Sequence, residues 1–223
     1  MSRKVKAVIF DQDGLMFDTE RLGAEGWYRT ASHYGIRVDE EFLRELRGAS
    51  QARVKAAFEA CYGTEIDYEA FREEKRRFSY RWIEEHGVPV KKGLKQLLCF
   101  LKSRGLPMAV ATASSEEWTR RNLAFTGLEG YFDQLVFAGM VKDAKPDPAI
   151  FLLAAEKLGV SPEYCIVLED SFNGIRAAAA GGFIPVMVPD LAEPTPEIQA
   201  LLAVKCESLE DVVRLFENGF FVS

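Results

Sequence analysis

A parallel α/β sheet covered by helices on both faces, interrupted after its first strand by an all-helical insertion, is the architecture this sequence predicts. Three observations carry that expectation. Short β-branched or apolar runs recur along the 223 residues. Stretches of helical periodicity separate them, and one long segment, 18–86, is helical in pattern throughout. Parallel strands cannot be joined by tight turns and need a crossover, usually a helix, so alternation is the mark of such a sheet.

The strand signals come in order at 5–10, 108–112, 134–137, 165–168 and 184–188. Helical periodicity marks 94–103, 116–125, 148–158 and 173–180. Gly105, Gly127, Gly159 and the Gly181-Gly182 pair each stand just past a helical run, where a C-terminal cap belongs. The segment 18–86 breaks the alternation. It is rich in charge (Arg44, Glu73, Glu74, Arg76) and in aromatic residues, of which Trp27, Phe58, Phe71 and Trp82 read as the core of a helical unit. Its flanks, 14–18 and 87–89, carry the glycine and proline of hinges. The domain reading is therefore 1–17 plus 87–223 as the α/β core and 18–86 as the insertion.

Composition narrows the function classes. With 48% hydrophobic and 28% charged residues the chain has the make-up of an ordinary globular protein. A formal net charge of −6 argues against nucleic acid or an anionic membrane as a main partner. It does not argue against a small anionic substrate, which one local cationic pocket can hold. No run approaches the roughly 20 apolar residues of a membrane span, and 5–10 is too short for a signal-peptide core. Cys61, Cys99, Cys165 and Cys206 lie far apart with no metal or redox spacing, and read as reduced thiols of a cytoplasmic protein.

In an open parallel sheet, ligands bind beyond the carboxyl ends of the strands. Four polar stretches fall there. Asp11-Gln12-Asp13-Gly14 follows the first strand, and residues two apart in extended chain point to one side, so the two carboxylates can converge. Such a pair needs a cation or a shared proton, and magnesium favours oxygen ligands of this kind. A carboxylate can also attack phosphorus. Thr112-Ala113-Ser114-Ser115 offers a hydroxyl and backbone N–H groups to phosphate. Lys145 precedes Pro146 and Pro148 on stiffened backbone. Glu169-Asp170-Ser171 could complete an oxygen cage for a metal. Taken singly, each has a plainer reading as an Asp-rich turn, a helix cap or a solvated lysine. Together and in this order they supply a nucleophile, an acid/base, a phosphate clamp and a metal cage, the equipment of phosphoryl transfer.

At these residues the chain resembles the haloacid-dehalogenase-like superfamily, in its phosphoglucomutase-like branch with a helical cap. The carrying motifs are Asp-Gln-Asp-Gly-Leu (11–15), Phe-Asp-Thr-Glu (17–20), Ala-Thr-Ala-Ser-Ser (111–115), Lys-Pro-Asp-Pro (145–148) and Leu-Glu-Asp-Ser (168–171), and the match spans nearly the whole chain. The resemblance implies a Rossmann-like core and a magnesium-dependent phosphatase acting through an aspartyl phosphate. It implies Asp11 as nucleophile and metal ligand, and Asp13 as general acid/base that also binds metal through its backbone carbonyl. Thr112, the Ala113 N–H and Lys145 would hold the phosphoryl group. Asp170 would ligate the metal, with Glu169 either ligating it or orienting a metal-bound water. Residues 18–86 would be a lid, with Arg47 and Lys75 as specificity positions. The substrate would be a sugar phosphate or nucleoside monophosphate, and the protein a monomer.

The presence of Asp13 favours phosphate esters over dehalogenase or phosphonatase chemistry, both of which do without it. The nearest alternative within the family is a β-phosphoglucomutase type of phosphotransferase, whose pattern carries a hinge histidine; Glu20-Arg21-Leu22-Gly23 has none here. A more distant alternative is a non-catalytic member that binds a metabolite.

Overall fold

The computed structural model describes residues 2–46, 49 and 51–223. A two-residue strand β1 (Arg3–Lys4) leads into β2 (Ala7–Phe10). Four helices follow: α1 (Thr19–His33), α2 (Glu40–Leu46), α3 (Gln51–Tyr62) and α4 (Tyr68–His86). Helix and strand then alternate as α5 (Leu94–Ser103), β3 (Met108–Thr112), α6 (Glu116–Thr126), β4 (Gln134–Phe137), α7 (Ala149–Leu158), β5 (Cys165–Glu169), α8 (Phe172–Ala180) and β6 (Ile184–Met187). The chain closes with α9 (Pro196–Leu201), β7 (Val204–Lys205), α10 (Leu209–Glu217) and β8 (Phe221–Val222).

Six strands form one parallel sheet in the order β4-β3-β2-β5-β6-β7. The chain starts in the middle, builds outward to β4, then crosses back to β5 and builds the other way. The strand after which the direction reverses is the expected place for a ligand crevice, and β2 sits there between β3 and β5. Alternate residues feed the two faces. Val8, Phe10, Met108, Val110, Ile166 and Leu168 enter a cluster with α5 and α10. Ala7, Ile9, Ala109, Ala111 and Val167 enter a second with α7 and α8. Leu94, Leu97, Leu98 and Leu101 on α5 and Leu209, Val212, Val213 and Phe216 on α10 repeat the i, i+3, i+4, i+7 spacing of a single apolar stripe. Those two stripes pack together over one face.

The helices α1–α4 have their own core, in which Trp27, Ala31, Val38, Leu43, Phe58, Tyr68 and Phe71 are buried. Phe71 is central, with ring centroids 5.1 Å from Trp27 and 4.8 Å from Phe58. Trp82 differs from the sequence expectation. It is half-buried and stacks on His86 one turn later, at 4.7 Å, instead of entering this cluster. Among the described residues 18–86 there is no strand.

Two connecting segments join cap to sheet, and they are bonded to each other. The Asp18 N–H donates to the Pro89 carbonyl at 2.8 Å and the Lys91 N–H to the Met16 carbonyl at 2.9 Å. Arg21, at the start of α1, and Lys91, on the return segment, both reach Asp190 Oδ1, at 2.8 and 2.7 Å.

Candidate active site

All four polar stretches carry a buried side chain: Asp11, Thr112, Lys145 and Glu169. Lys145 is 5% exposed, and its Nζ donates to Asp11 Oδ1 at 2.5 Å, Glu169 Oε1 at 2.7 Å and the Ala111 carbonyl at 3.3 Å. It also lies 4.6 Å from the centre of the Phe151 ring. The solvated lysine that an isolated loop position would suggest is thus absent here. Burial pulls the ammonium toward the neutral form, yet Asp11 and Glu169 more than offset it and hold its pKa above the usual lysine value.

Carboxylate oxygens of Asp11, Glu169 and Asp170 all lie within 4.8 Å of one another. Burial raises the Asp11 carboxyl to about 8; Lys145 opposes that rise, and Glu169 and Asp13 add to it. Burial, then Glu169 and Asp11, raises Asp170 well above the carboxylate range. Three crowded carboxylates with one ammonium form a set that a divalent, oxygen-preferring cation fits. Two glycines make room for the cluster. Gly14 has φ +87°, and a Cβ there would fall 2.2 Å from Asp170 Oδ2. At Gly174 a Cβ would fall 1.7 Å from Glu169 Oε1. Neither position has space for a larger residue.

Caps and site residues separate cleanly between neighbours. Ser115 caps α6 by accepting the Trp118 N–H at 3.3 Å, while Ser114 Oγ turns away to donate to Asp13 Oδ2 at 2.6 Å. Ser171 caps α8 through Gly174 N and also donates its N–H and hydroxyl to Glu169 Oε2, leaving Asp170 to the acidic cluster. Thr112 Oγ1 accepts the Ser114 N–H at 3.0 Å, which leaves its own O–H to donate.

Asp13 points away from the trio. Its Oδ1 accepts from Thr19 Oγ1 at 2.5 Å and the Trp118 indole Nε1 at 3.0 Å; its Oδ2 accepts from Ser114 and from Gln12 Nε2 at 3.2 Å. Thr19, Ser114 and Trp118 were not singled out by motif reasoning as partners of Asp13. For Trp118 a signal existed: helical side chains lean over the turn N-terminal to them, so a tryptophan in the first turn after a strand's carboxyl end covers the site.

Asp11, Asp13, Thr112, Ser114, Trp118, Lys145 and the Glu169-Asp170 pair open into one cavity of about 470 Å³, within the usual range for a small-molecule site. Asp11, Thr112, Ala113 and Lys145 lie on the sheet side. The cap side combines residues of α1, such as Gly23 and Trp27, with one face of α4, where Arg72, Lys75, Arg76, Ser79 and Tyr80 stand at i, i+3, i+4, i+7 and i+8. Lys75 sits 4.8 Å above the Trp27 ring, and burial lowers its pKa to about 8, with Glu20 opposing and Arg72 adding. Arg47 lies outside the described residues.

A central parallel strand carrying Asp-x-Asp, a buried lysine and an acidic pair two loops on defines a class, and the family comparison agrees with it. Residues 5–182 match the haloacid dehalogenase-like hydrolase family, and the chain belongs to it. More particularly, it is a phosphatase of that family. It is 36% identical, over 80% of its length and 82% of the relative's, to the phosphorylated carbohydrates phosphatase of Thermotoga maritima. It is 34% identical to the fructose-1-phosphate phosphatase YqaB of Escherichia coli, covering 84% of this chain and 98% of that one. The crystal structure of β-phosphoglucomutase from Clostridium difficile superposes with a TM-score of 0.81 at 26% identity over 97% of each chain. No helix among the described residues is long and apolar enough to cross a membrane.

Proposed function

We propose that the chain hydrolyses a small phosphorylated carbohydrate with the help of magnesium, through an aspartyl phosphate, the acyl phosphate of Asp11. The observation that carries this reading is the division of labour between the two aspartates. Asp11 is buried against Lys145 and two further carboxylates, whereas Asp13 is turned aside onto hydroxyl, amide and indole donors. The catalytic core would be 1–17 with 87–223, and 18–86 the lid that excludes bulk water.

Asp11 would attack phosphorus as the ester P–O bond breaks, and Asp13 would pass its carboxyl proton to the leaving alkoxide oxygen. Water would then attack the same phosphorus, give a proton to the Asp13 carboxylate, and release phosphate with Asp11 restored. Lys145 Nζ, the Thr112 hydroxyl and the Ala113 N–H would hold the phosphoryl oxygens. Asp11, Asp170, the Asp13 backbone carbonyl and Glu169, directly or through water, would hold magnesium. When bound it would supply positive charge that offsets the negative charge of the phosphoryl group. The α4 face, with Lys75 at its centre, would meet the sugar, and Arg47 is kept as a second specificity position.

Phosphotransfer between sugar hydroxyls is the second reading, favoured by the likeness to β-phosphoglucomutase. Against it stands Gly23, where the mutase pattern has its histidine: Gly23 lines the cavity, and a Cβ there would meet nothing within 4 Å. That space leaves water a route to a phosphorylated Asp11. The test is a panel of sugar phosphates and nucleoside monophosphates with magnesium, including β-glucose 1-phosphate with a trace of glucose 1,6-bisphosphate. Release of inorganic phosphate from sugar phosphates is expected. Stoichiometric glucose 6-phosphate without free phosphate would establish the mutase instead, and preference for nucleotides would replace the carbohydrate assignment.

A further inference from the structure

Trp118 touches both the reacting side of the cavity and the cap. Its indole N–H donates to Asp13 Oδ1 at 3.0 Å. Its ring lies against Tyr80 of α4, with centroids 5.3 Å apart. Tyr80 is in turn flanked by two guanidinium groups, Arg121 at 4.4 Å and Arg76 at 5.3 Å. Those arginines bridge the same seam in opposite directions: Arg76 of the cap reaches Glu117 of α6 at 3.1 Å, and Arg121 of α6 reaches Glu84 of the cap at 2.8 Å. The α4–α6 seam is therefore a place where cap and core meet beside Asp13, and Trp118 links the Tyr80 ring of that seam to the Asp13 carboxylate.

The chemistry of the four donors on Asp13 sets Trp118 apart. A carboxylate offers about four lone-pair positions, and here each oxygen receives two donors. The Thr19 and Ser114 hydroxyls can rotate and become acceptors, and the Gln12 amide can turn over. An indole N–H can do neither; it is donor-only and fixed in the plane of a large ring. Of the four, it is the one that holds the carboxylate in a single orientation while the others follow the reaction.

Building on the acid/base assignment of Asp13, we propose that Trp118 is a positioning residue for that group. Its N–H aims the Asp13 carboxylate, and the tilted contact of its ring with Tyr80 makes that aim depend on the cap helix being in place. The aspartate is then competent when the lid is seated over a substrate and less so when it is not.

The test compares an alkyl phosphate, whose leaving oxygen needs a proton, with p-nitrophenyl phosphate, whose leaving group needs little help. In the intact enzyme, Trp118→Phe keeps a ring against Tyr80 and removes only the N–H. It should lower kcat on the alkyl ester roughly 10- to 150-fold, the scale of one hydrogen bond to a charged group, with KM changed less than about twofold and a much smaller loss on the aryl ester. Trp118→His, which keeps a ring N–H, should recover part of the alkyl activity. Tyr80→Leu should reproduce the alkyl-specific loss, and adding it to Trp118→Phe should cost little more, since both act through one contact.

Asp13→Asn run beside them shows whether the alkyl-to-aryl ratio reports Asp13 at all. No change of ratio in Asp13→Asn would remove the acid assignment and this proposal with it. A changed ratio there with an unchanged ratio in Trp118→Phe would overturn the Trp118 role alone. Additive losses in the Tyr80 pair would sever the link to the cap, and a rise in kcat would show that the indole restrains Asp13 instead of aiming it.

Discussion

On the sheet side of the cavity, an ammonium and two of the three clustered carboxylates are almost wholly buried and paired at 2.5 and 2.7 Å. On the cap side, Arg72 and Arg76 stand 39% and 44% exposed and pair with Glu69 and Glu73 of their own helix. The contrast is one of dielectric. Buried charges are expensive to desolvate and tolerate no missing partner, whereas solvated pairs one turn apart on a helix contribute little and can be exchanged. On the proposed function, the chemistry is thus committed on one side, and the recognition surface is free to vary on the other.

The sharpest way to break this contrast is at the floor. Asp11→Asn should reduce turnover by more than about 10⁴-fold, as loss of a nucleophile does, and abolish any acid-labile phosphoenzyme. Removal of magnesium with excess chelator should have an effect of similar size. Full phosphate release in either case would show that the buried cluster is not the reacting centre. Lys145→Met leaves Asp11 and Glu169 without their cation. It should cost about 3–5 kcal/mol of stability, read from denaturant melts, part of which added magnesium restores by binding the native state.

Changes on the wall should be gentler. Because Lys75 titrates near 8, it is an ammonium below that pH and neutral above it. KM for a sugar phosphate should therefore rise by up to about tenfold between pH 7 and 9 as the charge is lost. Lys75→Arg keeps its charge throughout and should flatten that rise; an unchanged profile would take Lys75 out of substrate contact. Smallest of all is a pair of glycines on α1. Gly23→Ala meets open space and should gain about 0.5–1 kcal/mol from helix propensity alone. Gly26→Ala brings a Cβ to 3.1 Å from Lys75 Cγ. It should gain less and shift KM by about twofold, which paired thermal melts and kinetics would resolve.

Much of the architecture was legible because the buried strands of a parallel sheet read as unbroken apolar runs. β3 and β4 match the predicted spans, and the first strand is shorter than its run only because Val5 and Lys6 precede the ladder. What stayed hidden has identifiable causes. β1 and β8 are two residues each and pair the two ends of the chain, a contact with no local pattern. α10 did announce itself through its Ser208–Asp211 capping box and its apolar stripe, a signal left unread. At the site, Ser114 and Ser115 are chemically identical in sequence, and only the packing of α6 decides which one caps the helix and which reaches Asp13. Trp82 shows the reverse error: an aromatic at helical spacing is read as core until the helix's rotation turns it outward onto His86.

The Asp190 contacts have a mechanical consequence. Arg21 belongs to the outgoing connection of the cap and Lys91 to the incoming one, yet both are fastened to the same buried oxygen. Two tethers meeting at one point make a pin joint: the cap can swing about it but cannot slide along the sheet without breaking an ion pair. Spin labels placed across the cavity mouth and near residue 190 should show this as a broad distance distribution at the mouth and a narrow one at the pin. With Asp190→Ala the two distributions should widen together, because the lid has lost its fulcrum.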